Sequence, residues 1–186
     1  MGEFYLLPIK SDHSYCQSNG QNFKCTFKCH LDSDYIYLHF RLDDPHQLID
    51  LGNYSPRHQR VIGLWEKTCF EFFLRQQNSE SYLEFNFSPQ FSWNAFSFQS
   101  YRGPLHEWEA IKQCEIDILR ELGRLQLMIR IRKNEINAFF KPNEGLLFSA
   151  TAVLKNRDGS FHYMAIKHAD QKPNFHHPDS FIPLSE

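Results

Sequence analysis

The sequence predicts an all-β fold, a two-sheet antiparallel β-sandwich of jelly-roll type forming a single domain over residues 1–186, on three observations. Apolar and polar residues alternate at period two in stretch after stretch. Turn-forming residues separate these stretches at short intervals. The composition is rich in residues that favour a pleated, half-buried surface, with 18 Phe and 16% aromatics, and no stretch carries a convincing helical period. At 186 residues the chain can bury one substantial core and is short for two ordinary domains.

The first hairpin places Cys25, Phe27 and Cys29 on one face, turns at Asp32-Ser33-Asp34, and returns with Ile36, Leu38, Phe40 and Leu42 in alternation. Residues 43–63 are polar and contain Pro45 and Pro56, which reads as a long connection folding over the sheet. Strand character resumes from Thr68 to Leu74, and a turn at 77–81 leads into Tyr82–Ser88. There Leu83, Phe85 and Phe87 face the core, and Tyr82, Glu84 and Asn86 face away from it. The stretch Trp93–Tyr101 sets Phe96 and Phe98 against Trp93, Ala95 and Tyr101. Cys114–Leu119 and Leu125–Arg132 form a solvent-facing hairpin around Gly123. The last hairpin joins Leu146–Leu154 to Phe161–Ile166 through Asn156-Arg157-Asp158-Gly159, where glycine supplies the positive φ that the turn needs. A loop at 170–180 and a short Phe181-Ile182 close a set of about ten strands, the pattern of a jelly roll.

A net charge of -2 gives no basic field, which argues against nucleic acid or an anionic membrane as the main partner. Ten histidines make the charge rise as pH falls from about 7 toward 5. No run reaches the roughly 20 apolar residues of a membrane helix, and Met1-Gly2-Glu3-Phe4 lacks the basic start and apolar run of a secretion signal. Leu6 stands where myristoylation wants Ser or Thr. These features predict a cytoplasmic protein. Cys16, Cys25, Cys29, Cys69 and Cys114 are odd in number and irregularly spaced, as reduced core thiols would be, so no structural disulfide is expected.

The candidate site is the polar face of the Tyr82–Ser88 strand. Tyr82, Glu84 and Asn86 alternate opposite the core set, and Trp93 and Tyr101 are expected beside them, so a carboxylate, an amide and aromatic rings would meet a polyhydroxylated small molecule. The competing reading pairs Glu71 and Glu84 with Lys67 or Arg102 and packs the tryptophans. Glu71 and Glu84 could also work as acid and base on a glycoside, the catalytic alternative. No nucleophile elbow, phosphate loop, dinucleotide glycine pattern or zinc-protease helix is present, so the expectation is a binder and not an enzyme. Neither cofactor nor metal is expected. Cys25, Cys29 and His30 have the wrong spacing for covalent haem. Met164 and His168 would lie about 13 Å apart on a strand, too far to share a haem iron. His176, His177 and Asp179 are read as loop anchors rather than as a metal site.

Leu64–Phe73, Tyr82–Pro89 and Lys172–Phe181 together resemble the DOMON-like superfamily that includes family 9 carbohydrate-binding modules, and in particular its stand-alone bacterial members. The similarity spans roughly Tyr35 to the C-terminus. It implies a sandwich in which two aromatic rings clamp a saccharide while polar groups bond its hydroxyls. On that resemblance Trp65 takes the place of the first ring, Glu71 that of the acid on the next strand, Asn86 that of a neighbouring amide and Phe175 that of the second ring. His176 and Arg102 would support the rim. Glu84 stands where the sugar binders tend to carry Arg, exchanging a donor for an acceptor, and Phe175 stands where Trp is common. Some superfamily members bind haem b, the resemblance's second implication.

Overall fold

Phenylalanines at alternate positions, too large to leave in water on both sides, decide which strand faces turn inward. The computed structural model describes residues 3–8, 23–54, 58–141 and 144–184. Among the described residues thirteen strands run in order: β1 (Glu3–Pro8), β2 (Lys24–Leu31), β3 (Tyr35–Asp43), β4 (Gln59–Arg60), β5 (Cys69–Gln76), β6 (Tyr82–Phe87), β7 (Ser92–Phe98), β8 (His106–Glu107), β9 (Glu115–Glu121), β10 (Arg124–Arg132), β11 (Leu146–Lys155), β12 (Phe161–Ala165) and β13 (Ile182–Pro183).

The all-β expectation holds, but the strands join differently from two separate sheets. They form one continuous curled path, β4-β7-β6-β5-β11-β12-β1-β2-β3-β10-β9, a half-barrel with β8 on β7 and β13 on β11. β1 makes the join, pairing Glu3–Leu6 with β2 and Leu7–Pro8 with β12. The sheet is mixed because β4 runs parallel to β7.

Curling brings the inner faces of β2, β3 and β10 against those of β5, β6 and β11. Phe27 lies 4.7 Å from Phe40, 6.0 Å from Phe72 and 5.9 Å from Phe148, centroid to centroid. Each such side chain contributes about 1.5–3 kcal/mol by burial. On β10 the alternation is clean: Leu125, Leu127, Ile129 and Ile131 enter this core, and Arg130 and Arg132 reach outward to Glu115 at 2.8 and 3.0 Å. A single helical turn, Lys133–Ile136, follows and inserts Ile136 into the same core. The sequence gives no helical period there because one turn is too short to show one.

Cys25, Cys29, Cys69 and Cys114 are buried free thiols, while Cys16 lies outside the described residues. Among the described residues no helix is long and apolar enough to cross a membrane.

The second face of β5, β6 and β7 departs from expectation. It points away from the main core, yet every residue of β6 is buried. A second apolar layer of Leu64, Phe73, Tyr82, Phe96, Phe98, Val153, Phe175 and Phe181 covers it, supplied partly by the chain after β12.

Candidate functional site

Register assembles the polar groups on this covered face. Glu71 of β5 sits opposite Asn86 of β6 and Thr151 of β11, and Asn86 sits opposite Asn94 of β7. Asn94, Asn86, Glu71 and Thr151 thus form one row across the strands, none more than 4% exposed. Glu84 lies one row along, opposite Phe73 and Phe96.

Thr151 Oγ1 donates to Glu71 Oε2 at 2.7 Å, and Asn86 Nδ2 donates to Glu84 Oε1 at 2.7 Å. Among the described residues, Glu84 Oε2 is buried without a hydrogen-bond partner. Among the described residues neither Lys67 nor Arg102 pairs with either carboxylate; the nearest basic group is His176, whose Nε2 lies 3.8 Å from Glu84 Oε2. Burial, reinforced by the charge of Arg102, holds His176 down to about 4, so the ring is neutral and this contact is not an ion pair. His176 Nδ1 meets the Tyr82 hydroxyl at 2.8 Å. Burial pushes the Tyr82 pKa up, which keeps that hydroxyl protonated. With Tyr82 donating to Nδ1, the ring proton belongs on Nε2, facing Glu84.

Both carboxyls are pushed up from 4.5. Glu71 rises to about 7 through burial, against the Thr151 hydrogen bond. Glu84 rises to about 8 through burial and then the nearby Glu71 charge, against the Asn86 hydrogen bond. Desolvation dominates because, among the described residues, no cation pairs with either carboxyl to offset it.

Above the pair opens a cleft of about 410 Å³. Glu71, Glu84 and Val153 lie at its base, Trp65, Phe98, Tyr163 and Phe175 form walls, and Arg102 and His176 stand at its edge. Trp65 rides on a 3-10 turn, Leu64–Glu66, whose preceding Gly63 has φ 81. Its half-buried ring meets Phe96 edge-on at 5.9 Å. Phe175 is 9% exposed and is backed by Tyr163 and His168 at 6.3 and 6.2 Å. Arg102 is exposed and donates to Asn174 Oδ1 at 3.3 Å.

Of the residues expected at the site, Trp65, Glu71, Glu84, Arg102, Phe175 and His176 line this cleft, with Asn86 directly beneath. Trp93 and Tyr101 do not join them. Glu84 pairs with Phe96, so the cleft face of β7 carries Phe96 and Phe98. Trp93, three positions from Phe96, points to the main core, 4% exposed, with the Arg60 guanidinium 5.0 Å from its ring. Tyr101 lies outside the cleft, where its hydroxyl and the Asn174 amide bond each other and tether the closing loop. Phe98, Tyr163 and Thr151 were missed; for Phe98 the signal was its shared parity with Phe96.

The remaining candidates have other partners. Met164 is in the main core, and His168 Nε2 lies 2.7 Å from the Leu7 carbonyl. His177 Nδ1 accepts from the Asp179 N–H at 3.2 Å, turned to a different partner from His176. Cys25 and Cys29 face inward, whereas His30 stacks on Tyr37 at 5.8 Å. Among the described residues no group of three or more His, Cys, Asp or Glu could hold a metal ion.

No protein-family model and no curated protein matches the chain. Its fold is similar to solved structures. One is a candidate carbohydrate-binding protein from Bacteroides uniformis, with TM-score 0.68 and 13% identity over 97% of this chain and 84% of that one. Another is a family 9 carbohydrate-binding module from Caldicellulosiruptor kristjanssonii in complex with glucose, with TM-score 0.55 and 13% identity over 89% and 78%. At such identities the likeness is one of fold.

Proposed function

We propose that the chain is a non-catalytic binding module of the DOMON-like kind that takes a saccharide or similar small polar metabolite in the cleft over β5 and β6. The observation carrying this reading is the composition of one concavity: a half-exposed Trp65, a Phe175 wall, and buried carboxyl groups with acceptor capacity to spare. A pyranose suits such a place because its C–H faces pack on aromatic rings and its hydroxyls donate to carboxylates. Glu71, Glu84 and, at the edge, Arg102 and His176 would supply the polar contacts, and Asn86 would hold Glu84 in place. The likeness of fold to a module solved with glucose supports the same reading.

Tryptophan fluorescence titrated with a panel of mono- and oligosaccharides tests it, since Trp93 is buried in the main core and Trp65 borders the cleft. The expected result is a saturable change, and calorimetric titration of Trp65→Ala, which lacks the reporting ring, should show binding weakened at least about tenfold through loss of ring contact worth roughly 1.5 kcal/mol. Circular dichroism of the variant should be unchanged. A titration unaffected by Trp65→Ala would remove the clamp, and unfolding of the variant would make Trp65 a core residue.

A further inference from the structure

Within the saccharide-binding reading, on which this step rests, we infer that the cleft selects a protonated amine: its ligand is an amine-bearing pyranose, a hexosamine with a free amino group. Glu84 Oε2 is the first ground. It is a buried acceptor without a partner among the described residues, on a residue 4% exposed that borders the cleft. Leaving such an atom unsatisfied costs about 1–3 kcal/mol, and a donor arriving with the ligand recovers it.

The second ground is that, among the described residues, no cation pairs with the two carboxyls. Among the described residues, the titratable and charged groups around the pair are Cys69, Tyr82, His176 and Arg102. Cys69 and Tyr82 keep their protons, and His176 is neutral. Arg102 stands exposed at the mouth, turned onto Asn174, where solvent and salt screen it. A neutral sugar brings donors but no charge, so it leaves the buried pair holding its protons. An ammonium brings both, and the aromatic walls attract it further.

The test is calorimetric titration of the full chain with D-glucosamine, N-acetyl-D-glucosamine and D-glucose. Glucosamine is expected to bind at least about tenfold more tightly than the other two, the scale of one charge-assisted contact. At pH about 6, where the amine is charged and the carboxyl pair holds protons, its binding should also release protons, seen as a heat that varies with the buffer's ionisation enthalpy. Glucose should show no such release. Glu84→Gln should bring the three affinities within about threefold, and Glu71→Gln serves where Glu84→Gln fails to fold. Equal affinities, or glucose bound and glucosamine rejected, would overturn the amine selectivity while leaving a saccharide site. Binding of none of the three would overturn the saccharide reading and this inference with it.

Discussion

A buried carboxyl group without a cation favours its protonated form, and Glu71 and Glu84 supply two such groups on adjacent strands. Their folded-state values, about 7 and about 8, lie above the ordinary 4.5. Between 4.5 and 8 the native chain therefore holds protons that the unfolded chain has released, and stability falls as pH rises through that window. Above it the penalty is complete. Glu84→Gln keeps an acceptor for Asn86 and removes the charge, so it should stabilise the protein at pH 8 by at least about 1 kcal/mol, or about 2–4 °C in Tm. The gain should vanish near pH 4.5. Melting curves across this range check it; a variant equally destabilised at both ends would mean that Glu84 is held by contacts rather than opposed by burial. The position of Glu84 was legible in the sequence because Leu83, Phe85 and Phe87 fix its parity. The orphaned Oε2 was not, since it depends on where Arg102 and His176 arrive from distant loops.

At the scale of elements, the turn carrying Trp65 is set by Gly63, whose φ of 81 places it in the left-handed region. A Cβ there would meet only the Glu66 side chain, at 3.6 Å or more, so Gly63→Ala acts through the backbone and costs about 1–2 kcal/mol. The expected outcome is a small fall in Tm together with weaker ligand-induced Trp65 fluorescence, because the turn that positions the ring is strained. Unchanged titration at lowered stability would separate the turn from the site. Strand alternation made β2, β3, β5, β6 and β10 readable, since each buries a full apolar face. Trp93 was misplaced because alternation gives two faces for each strand but not which face of β7 matches which of β6. That choice lies in the Glu84–Phe96 pairing. β1 escaped notice because its partners, β2 and β12, are remote in sequence and its outer face is exposed.

Across the whole molecule, β5, β6, β7 and β11 are shared by two apolar layers, and each layer has a different mechanical role. The inner layer joins both arms of the curled sheet through Phe27, Phe40, Phe72 and Phe148. The outer layer pins the closing segment beside the cleft, where Phe181 packs on Phe73 and Tyr82 at 6.3 and 6.2 Å and lies beneath Arg75. Phe72→Ala should therefore cost about 3–5 kcal/mol, as a cavity in a closed core does, and should accelerate amide exchange in β2, β3, β5 and β11 together. Phe181→Ala borders a smaller surface pocket with Arg75 and Tyr82, into which the site can relax, and should cost less, about 2 kcal/mol. Its faster exchange should be confined to residues 166–184 and the Trp65 turn, opening in sub-global steps rather than by global unfolding. The ligand response should weaken in Phe181→Ala even where the strands remain protected. Uniform loss of protection in both variants would show that the outer layer is part of the same cooperative unit as the core, and the closing segment would then be a structural seal rather than a separable wall of the binding cleft.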